Sequence, residues 1–133
     1  MTPVFADSFF FFALLNDNDA THEAAERFSS NTGRPFVTTA WVLTEVADGC
    51  AAVDKRGLFL QLLDTLRASP DARITGPSEE LFSRGLELYR QRPDKEWSLT
   101  DCISFLVMQD RGLTEALTGD RHFEQAGFTA VLK

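Results

Sequence analysis

Four acidic residues of this chain lie in apolar surroundings: Asp7, Glu45, Asp101 and Asp120. Asp7 follows a short apolar run, Glu45 lies inside one, Asp101 opens one and Asp120 closes one. An ionised carboxylate in such surroundings is costly unless a partner compensates its charge. No comparable set of Lys or Arg residues occupies matching positions. Since several converging carboxylates most simply bind a hard divalent cation, the sequence predicts a metal site.

Each acid also has a purely structural interpretation. Asp7 could cap a helix that begins near Ser8, and Asp120 could cap a short helix that follows it. The segment Ser98–Asp101 reads Ser-Leu-Thr-Asp and is typical of a capping box at the start of a helix. Glu45 is harder to explain in this way, because its neighbours one helical turn away are apolar or small.

The elements that would position these acids alternate along the chain. Short apolar segments predict strands, and helical periodicity predicts helices between them. The predicted strands are Val4–Ala6, Pro35–Thr38, Ala72–Thr75, Glu115–Thr118 and Phe128–Leu132. The predicted helices are Ser8–Leu15, Ala20–Ser30, Thr39–Ala52, Lys55–Ala68, Ser78–Gln91, Leu99–Arg111 and Arg121–Gln125. This alternation predicts an α/β fold with a short, mostly parallel sheet covered by helices on both faces. Ligands gather at the carboxyl ends of such strands, where Asp7 and Asp120 are expected.

Composition limits the class of protein. The chain has 133 residues, 44% of them hydrophobic, and no repeat or linker, so we expect a single domain over residues 1–133. A net charge of −7 argues against bulk electrostatic binding of nucleic acid or membranes but leaves a metal-dependent nuclease open. No segment predicts a membrane span or a signal peptide. Cys50 and Cys102 lack metal-site spacing, which favours buried free thiols and a cytoplasmic location.

The motifs around the four acids, taken in order and spacing, resemble those of the PIN-domain nucleases. Within that family, the chain is similar to the VapC-type toxins of bacterial toxin–antitoxin pairs. The motifs are Phe5-Ala6-Asp7-Ser8, Thr44-Glu45-Val46, Ser98-Leu99-Thr100-Asp101-Cys102 and Thr118-Gly119-Asp120-Arg121-His122-Phe123. The resemblance covers the whole chain, and it implies the PIN-like three-layer α/β fold.

The resemblance also implies an activity, a cofactor and partners. The activity is hydrolysis of RNA phosphodiester bonds by a metal-bound water, with Mg²⁺ or Mn²⁺ held by the catalytic quartet Asp7, Glu45, Asp101 and Asp120. Ser8 and Thr100 match the small hydroxyl residues beside the first and third acids. The partners are an RNA substrate, a cognate antitoxin and a second copy of the chain. A housekeeping PIN nuclease without an antitoxin and a non-catalytic PIN-fold interaction module are the alternatives.

A basic segment precedes the third acid. Candidates for contacts with RNA are Arg90, Arg92 and Lys95 at phosphates, Trp97 stacked on a base, and Arg121 beside the fourth acid. The alternative for the segment is a solvated basic turn with a packed tryptophan. His122 could touch substrate, but a single histidine on a short helix is more often structural or exposed.

Four consecutive phenylalanines, Phe9–Phe12, lie on the first predicted helix. Their side chains point about 100° apart, so a single core-facing stripe cannot take all four. Two explanations stay open. Either the neighbouring helices cover the whole run, or at least one ring is buried only in a homodimer or an antitoxin complex.

Overall fold

The computed structural model describes residues 2–31 and 33–133, and this part of the chain contains a five-stranded sheet. The strands are β1 (Val4–Ala6), β2 (Phe36–Thr39), β3 (Ala72–Thr75), β4 (Glu115–Leu117) and β5 (Thr129–Ala130). Their order across the sheet is β3-β2-β1-β4-β5, and every pairing is parallel. The predicted parallel sheet is confirmed.

Helices connect the strands, as parallel pairing requires. They are α1 (Ser8–Leu15), α2 (His22–Asn31), α3 (Ala40–Gly49), α4 (Arg56–Ala68), α5 (Glu79–Gln91), α6 (Leu99–Asp110) and α7 (Arg121–Gln125). Together with the sheet they form the expected three-layer α/β fold. Within the described residues, no helix is both long enough and apolar enough to cross a membrane.

The pairing register brings the carboxyl ends of β1 and β4 side by side. Ala6 pairs with Leu117, and the backbone N–H of Asp7 donates to the Leu117 carbonyl over 3.4 Å. On the other side of β1, the Thr38 hydroxyl in β2 donates to the Ala6 carbonyl over 2.8 Å. The residues that follow β1, β2 and β4 therefore meet at one edge of the sheet.

Helix α6 is the buried central helix that its apolar sequence predicts. Its buried residues include Asp101–Phe105, Val107 and Met108. Cys50 and Cys102 are both buried and free, as expected. Burial, with a smaller effect of the neighbouring Asp101 charge, raises the pKa of the Cys102 thiol to about 11, so this thiol stays protonated and unreactive.

The phenylalanine run of α1 packs against its own chain. The two middle rings are buried, with 2% and 0% of their surface exposed. Phe9 and Phe12 are half-buried and each lies over a glycine: a Cβ atom on Gly119 would come within 2.6 Å of the Phe9 ring, and one on Gly49 within 2.5 Å of the Phe12 ring. All four rings thus have contacts within the chain, and additional burial by a partner stays a prediction for Phe9 and Phe12.

Several element boundaries differ from the predicted ones for local reasons. Thr39 ends β2 instead of opening α3, because its hydroxyl accepts the Val42 N–H over 3.1 Å and makes Thr39 the N-cap. Helix α2 begins two residues later than predicted, since Asp19 turns the backbone by accepting the Thr21 N–H over 2.8 Å. Strand β5 has two residues instead of the five predicted, because it pairs with only two residues of β4.

Candidate metal centre

Asp7 follows β1 directly and has 4% of its surface exposed. Although it is the N-cap residue of α1, its side chain makes no capping hydrogen bond. Its Oδ2 instead accepts the Thr118 hydroxyl over 2.9 Å. Burial raises the pKa of Asp7 to about 7; the Thr118 hydrogen bond opposes this rise, and the charges of Asp101 and Glu45 add to it. The carboxylate therefore faces the end of β4 and the other acids.

Glu45 reaches the same edge from α3 and is half-buried. Burial raises its pKa, the Ser8 side chain lowers it, and the charges of Asp101 and Asp120 raise it further. Because the charges of Asp101 and Asp120 affect its pKa, the Glu45 side chain lies near both of these acids. An outer acid, Asp48, contributes a smaller increase from the exposed face of α3.

Asp101 lies in the first turn of α6 with 8% of its surface exposed. The predicted capping box is present: Ser98 Oγ accepts the Asp101 N–H over 3.0 Å, and Asp101 Oδ2 accepts the Ser98 N–H over 3.1 Å. Burial raises the pKa of Asp101, the Ser98 N–H lowers it, and the charge of Asp120 raises it. The same carboxylate thus caps its helix and faces the acidic cluster.

A hydroxyl group connects Asp120 to Asp7. Thr118 Oγ1, which donates to Asp7, also accepts the Asp120 N–H over 3.0 Å. Asp120 in turn caps α7 as predicted, because its Oδ1 accepts the His122 N–H over 2.9 Å. Sequence analysis missed the role of Thr118, whose position between β4 and the fourth acid was the available signal.

His122 was considered for a substrate contact or a structural or exposed position, but its contact with the acids was not predicted. Its Nδ1 atom lies 3.1 Å from Asp101 Oδ2 and 3.4 Å from Asp120 Oδ2. One ligand atom from each of these three residues falls in a group no more than 4.8 Å across. Its side chain is only 20% exposed, so His122 is part of the acidic cluster. Its position two residues after Asp120 was the available signal.

The donor set suits a hard divalent ion. Among the residues that the structure describes, no Lys or Arg nitrogen lies within 4.0 Å of the four carboxylates. Clustered acids without a lysine or arginine partner favour a cation, and Mg²⁺ takes oxygen ligands and keeps several waters. Asp101 and Asp120 stand in the tightest group, while Asp7 and Glu45 lie outside its 4.8 Å limit. Direct binding of one ion by all four acids stays a prediction.

Comparison with known proteins agrees with this geometry. Residues 4–129 match the family model described as PIN domain. The chain belongs to the PIN domain family.

This chain is 28% identical over 130 residues to a protein named "23S rRNA-specific endonuclease VapC20" from Mycobacterium tuberculosis, in strains CDC 1551 / Oshkosh and ATCC 25618 / H37Rv. The alignment covers 96% of this chain and 97% of each relative. The crystal structure of Mycobacterium tuberculosis VapC20, described as a sarcin–ricin loop cleaving toxin, is similar with a TM-score of 0.84 and 26% identity over 95% of this chain and 96% of that one. The resemblance to VapC-type PIN nucleases is confirmed.

Three other predicted site residues of the PIN domain surround the acids. Ser8 is half-buried at the start of α1, where its side chain lowers the pKa of Glu45. Thr100 is half-buried in the first turn of α6, and Arg121 is exposed beside Asp120. The supporting roles of Ser8 and Thr100 and an RNA contact by Arg121 stay predictions.

The basic segment of the PIN domain borders a cleft of about 970 Å³ beside the start of α6. Arg92 forms a two-point ion pair with Asp94 at 3.0 and 2.9 Å, and Arg90 pairs with Glu87 at 2.7 Å. Lys95 lines the same cleft and is half-buried. Because both arginines already have carboxylate partners, Lys95 is the cation of this segment most available to an anion.

Trp97 is mostly buried in the PIN domain, with 7% of its surface exposed. Its ring packs edge-on against Phe105 at 5.0 Å, and its Nε1 donates to Gln125 Oε1 over 3.0 Å. The Arg92 guanidinium lies over the indole at 5.1 Å. These contacts leave little of the indole for a base, and stacking by Trp97 stays a prediction. Tyr89, which is 53% exposed, presents a more accessible ring in the same cleft.

Proposed function

We propose that this PIN domain is a metal-dependent endoribonuclease and the toxin of a type II toxin–antitoxin pair. The observation that carries the proposal is the acidic cluster, in which burial and neighbouring charges raise the pKa values of Asp7, Glu45 and Asp101. Such a cluster is unfavourable without a cation, and its oxygens are suitable ligands for Mg²⁺ or Mn²⁺. The family match and the similarity to VapC20 support the same activity.

Bound at these carboxylates, a divalent ion would acidify a water molecule and stabilise negative charge on the scissile phosphate and the leaving oxygen. The residues of the chain prepare that site. Thr118 joins Asp7 and the backbone of Asp120 in one hydrogen-bonded unit. Ser98 holds Asp101 through the capping box. Because the carboxylates are already oriented, little reorganisation is required when RNA binds.

For the substrate, we propose a loop of ribosomal RNA. VapC20 is named a 23S rRNA-specific endonuclease, and its crystal structure is described as that of a toxin that cleaves the sarcin–ricin loop. Loops present unstacked bases and an accessible backbone to proteins. In this proposal, phosphates contact the basic segment Arg90–Lys95 and Arg121, and a base stacks on Tyr89 or on the exposed edge of Trp97.

The proposal includes the assembly and location of the protein. Residues 1–133 would act as one domain in the cytoplasm, as a homodimer that a cognate antitoxin holds inactive. The description of the VapC20 structure as that of a toxin supports the pairing with an antitoxin. Sedimentation velocity of the isolated chain over a range of concentrations tests the homodimer, and a monomer at every concentration would rule it out. Co-purification with the product of an adjacent small gene tests the antitoxin.

The test of the activity compares the wild type with Asp101→Asn on ribosomal RNA in Mg²⁺ or Mn²⁺. Asparagine can still accept the Ser98 N–H, so the start of α6 should keep its cap. We expect the wild type to produce new RNA 5′ ends, mapped by sequencing, and the variant to produce none. Asp48→Asn is the control, because it removes an exposed acid from the same region.

Two outcomes would change the proposal. Cleavage by Asp101→Asn at the rate of the wild type would contradict the assignment of the acidic cluster as the active site. Cleavage by the wild type without growth arrest when the protein is expressed alone would favour a housekeeping nuclease over a toxin.

A further inference from the structure

His122 places an imidazole nitrogen among the carboxylates of the acidic cluster. The side chains of His122, Asp101 and Asp120 are 20%, 12% and 33% exposed, so the group opens toward solvent on the Asp120 side. In the described part of the chain, this is the one set of three or more His, Cys, Asp or Glu residues spaced to hold a metal ion. The set contains one nitrogen donor and two carboxylates.

The distances from His122 Nδ1 to the two carboxylates match those between neighbouring positions around an octahedral ion. With bonds of about 2.1 Å, adjacent ligand atoms of such an ion lie about 3.0 Å apart. The Nδ1 atom of His122 lies 3.1 Å from Asp101 Oδ2 and 3.4 Å from Asp120 Oδ2. Helix α7 keeps this arrangement, because Asp120 Oδ1 is engaged by the His122 N–H and Oδ2 is left for the cluster.

We propose that His122 binds the metal through Nδ1, together with Asp101 and Asp120, and thereby favours Mn²⁺ over Mg²⁺ at this site. The inference deepens the proposed function, because it concerns the same metal site. Mg²⁺ is a hard ion that takes oxygen ligands, whereas an imidazole nitrogen raises the affinity of a site for first-row transition ions. Three protein donors leave coordination positions for water and a phosphate oxygen.

The competing role for His122 is positioning. In that role Nδ1–H donates to Asp101 Oδ2, which already accepts the Ser98 N–H over 3.1 Å. A positioning histidine would orient the carboxylate without touching the ion. It would then strengthen the binding of Mg²⁺ and Mn²⁺ to a similar extent, because it acts on both ions through the same oxygen ligands.

Electron spin echo spectroscopy of the Mn²⁺-loaded protein tests coordination directly. The chain contains two histidines, so an imidazole ¹⁴N coupling to Mn²⁺ has two possible sources. His22 is the control, because its Nδ1 lies 2.7 Å from the Ala13 carbonyl and it pairs with Glu26 on α2. We expect the coupling in the wild type and in His22→Gln, and its loss in His122→Asn. Absence of the coupling from the wild type, or its persistence in His122→Asn, would overturn the proposal.

Calorimetric titration with each metal alone tests the preference. Asparagine at position 122 carries an amide nitrogen near the place of Nδ1, so it can still donate to Asp101 but supplies no imidazole ligand. We expect His122→Asn to bind Mn²⁺ about tenfold more weakly or worse and to bind Mg²⁺ within about threefold of the wild type. Equal losses for both ions would indicate the positioning role, and no loss for Mn²⁺ would also contradict the proposal.

Failure of this inference is distinguishable from failure of the nuclease function. RNA cleavage by the Mg²⁺-loaded wild type, without any ¹⁴N coupling in its Mn²⁺ form, would support the nuclease function and exclude His122 as a metal ligand. A wild type that shows the coupling but cleaves no RNA would support His122 as a metal ligand and contradict the nuclease function.

Discussion

At the scale of single residues, the acids of the candidate site combine structural contacts with the ligand roles that we propose for them. Asp101 and Asp120 each cap a helix, so the backbone N–H groups that they satisfy also fix where their carboxylates lie. Asp7 differs, because it accepts the Thr118 hydroxyl across the sheet edge and leaves its own helix uncapped. The structural and functional interpretations of these acids are therefore compatible, and capping is one means by which the fold orients the cluster.

Asp7→Asn should stabilise the metal-free protein in a pH-dependent way. The pKa of Asp7 rises from 3.8 to about 7 on folding, so between these values the folded state binds more protons than the unfolded state. The free energy of unfolding of the wild type therefore falls as pH rises through this window. Asparagine is neutral and can still accept the Thr118 hydroxyl. In thermal melts, its advantage should grow from about pH 4 to about pH 7, level off above that, and amount to at most a few kcal/mol.

The control for Asp7 is Asp48→Asn, which neutralises an exposed acid and should show no such gain. Saturating Mg²⁺ should reverse the order of the melting temperatures, because an ion that binds the folded wild type stabilises it. A difference between Asp7→Asn and the wild type that stays constant with pH would contradict the assignment of a raised pKa.

At the scale of elements, two short segments hold most of the site. The first is the start of α6, where Ser98 and Asp101 form the capping box. The second is the chain from Thr118 to Phe123, which leaves β4, passes through Gly119 and enters α7. Gly119 has no side chain where the Phe9 ring packs, so α1 lies directly against the turn that carries Asp120. Packing of α1 and placement of the fourth acid are thus connected.

Ser98→Ala tests whether the cap of α6 serves the site as well as the helix. Losing a serine N-cap costs about 1 kcal/mol of stability. Ser78 is a matched comparison, because it caps α5 by accepting the Leu81 N–H over 3.1 Å, just as Ser98 accepts the Asp101 N–H over 3.0 Å. We expect similar losses of melting temperature in both alanine variants but a loss of Mn²⁺ affinity only in Ser98→Ala. Equal metal affinities in the two variants would show that the cap is purely structural.

At the scale of the whole molecule, the net charge of the chain opposes binding of the proposed RNA substrate. The chain carries a net charge of −7, yet the proposed substrate is a polyanion. The acidic cluster needs a bound cation to approach RNA, and the cleft beside α6 supplies the nearby cations Arg90, Arg92 and Lys95. Attraction is therefore local, so binding should depend on a few side chains and on salt.

Replacing Arg90, Arg92 and Lys95 together by alanine should weaken RNA binding and flatten its dependence on salt. Each phosphate contact on a single strand contributes about 0.7 to the slope of log K against log salt, so three contacts would reduce the slope by about 2. The contribution of each arginine will be smaller if it must first leave its carboxylate partner. Filter binding or anisotropy of a non-cleaved RNA over a salt series measures the slope, and Mn²⁺ affinity should be unchanged.

The control removes the same number of charges from exposed positions elsewhere: Arg27, Arg73 and Arg111. Its salt slope should stay close to that of the wild type. An unchanged salt slope in the triple variant of the basic segment would indicate that this segment is a solvated turn beside a packed tryptophan and does not contact RNA.

The sequence by itself determined the parallel α/β architecture and the buried central helix, and it singled out four acids in apolar surroundings, because these features depend on local periodicity and on the unfavourable burial of unpaired charge. It also indicated the caps of α6 and α7, since a capping motif is contained within a few consecutive residues. Only the tertiary structure decided the contacts of Thr118 and His122 with the acids, which depend on the register of β1 against β4 and on the approach of α7 to α6. It likewise turned Trp97 inward against Phe105, a contact between a loop and a helix that no local pattern encodes. Residues whose roles arise from contacts distant in sequence carry no periodic signal, so their roles appear only when the elements pack.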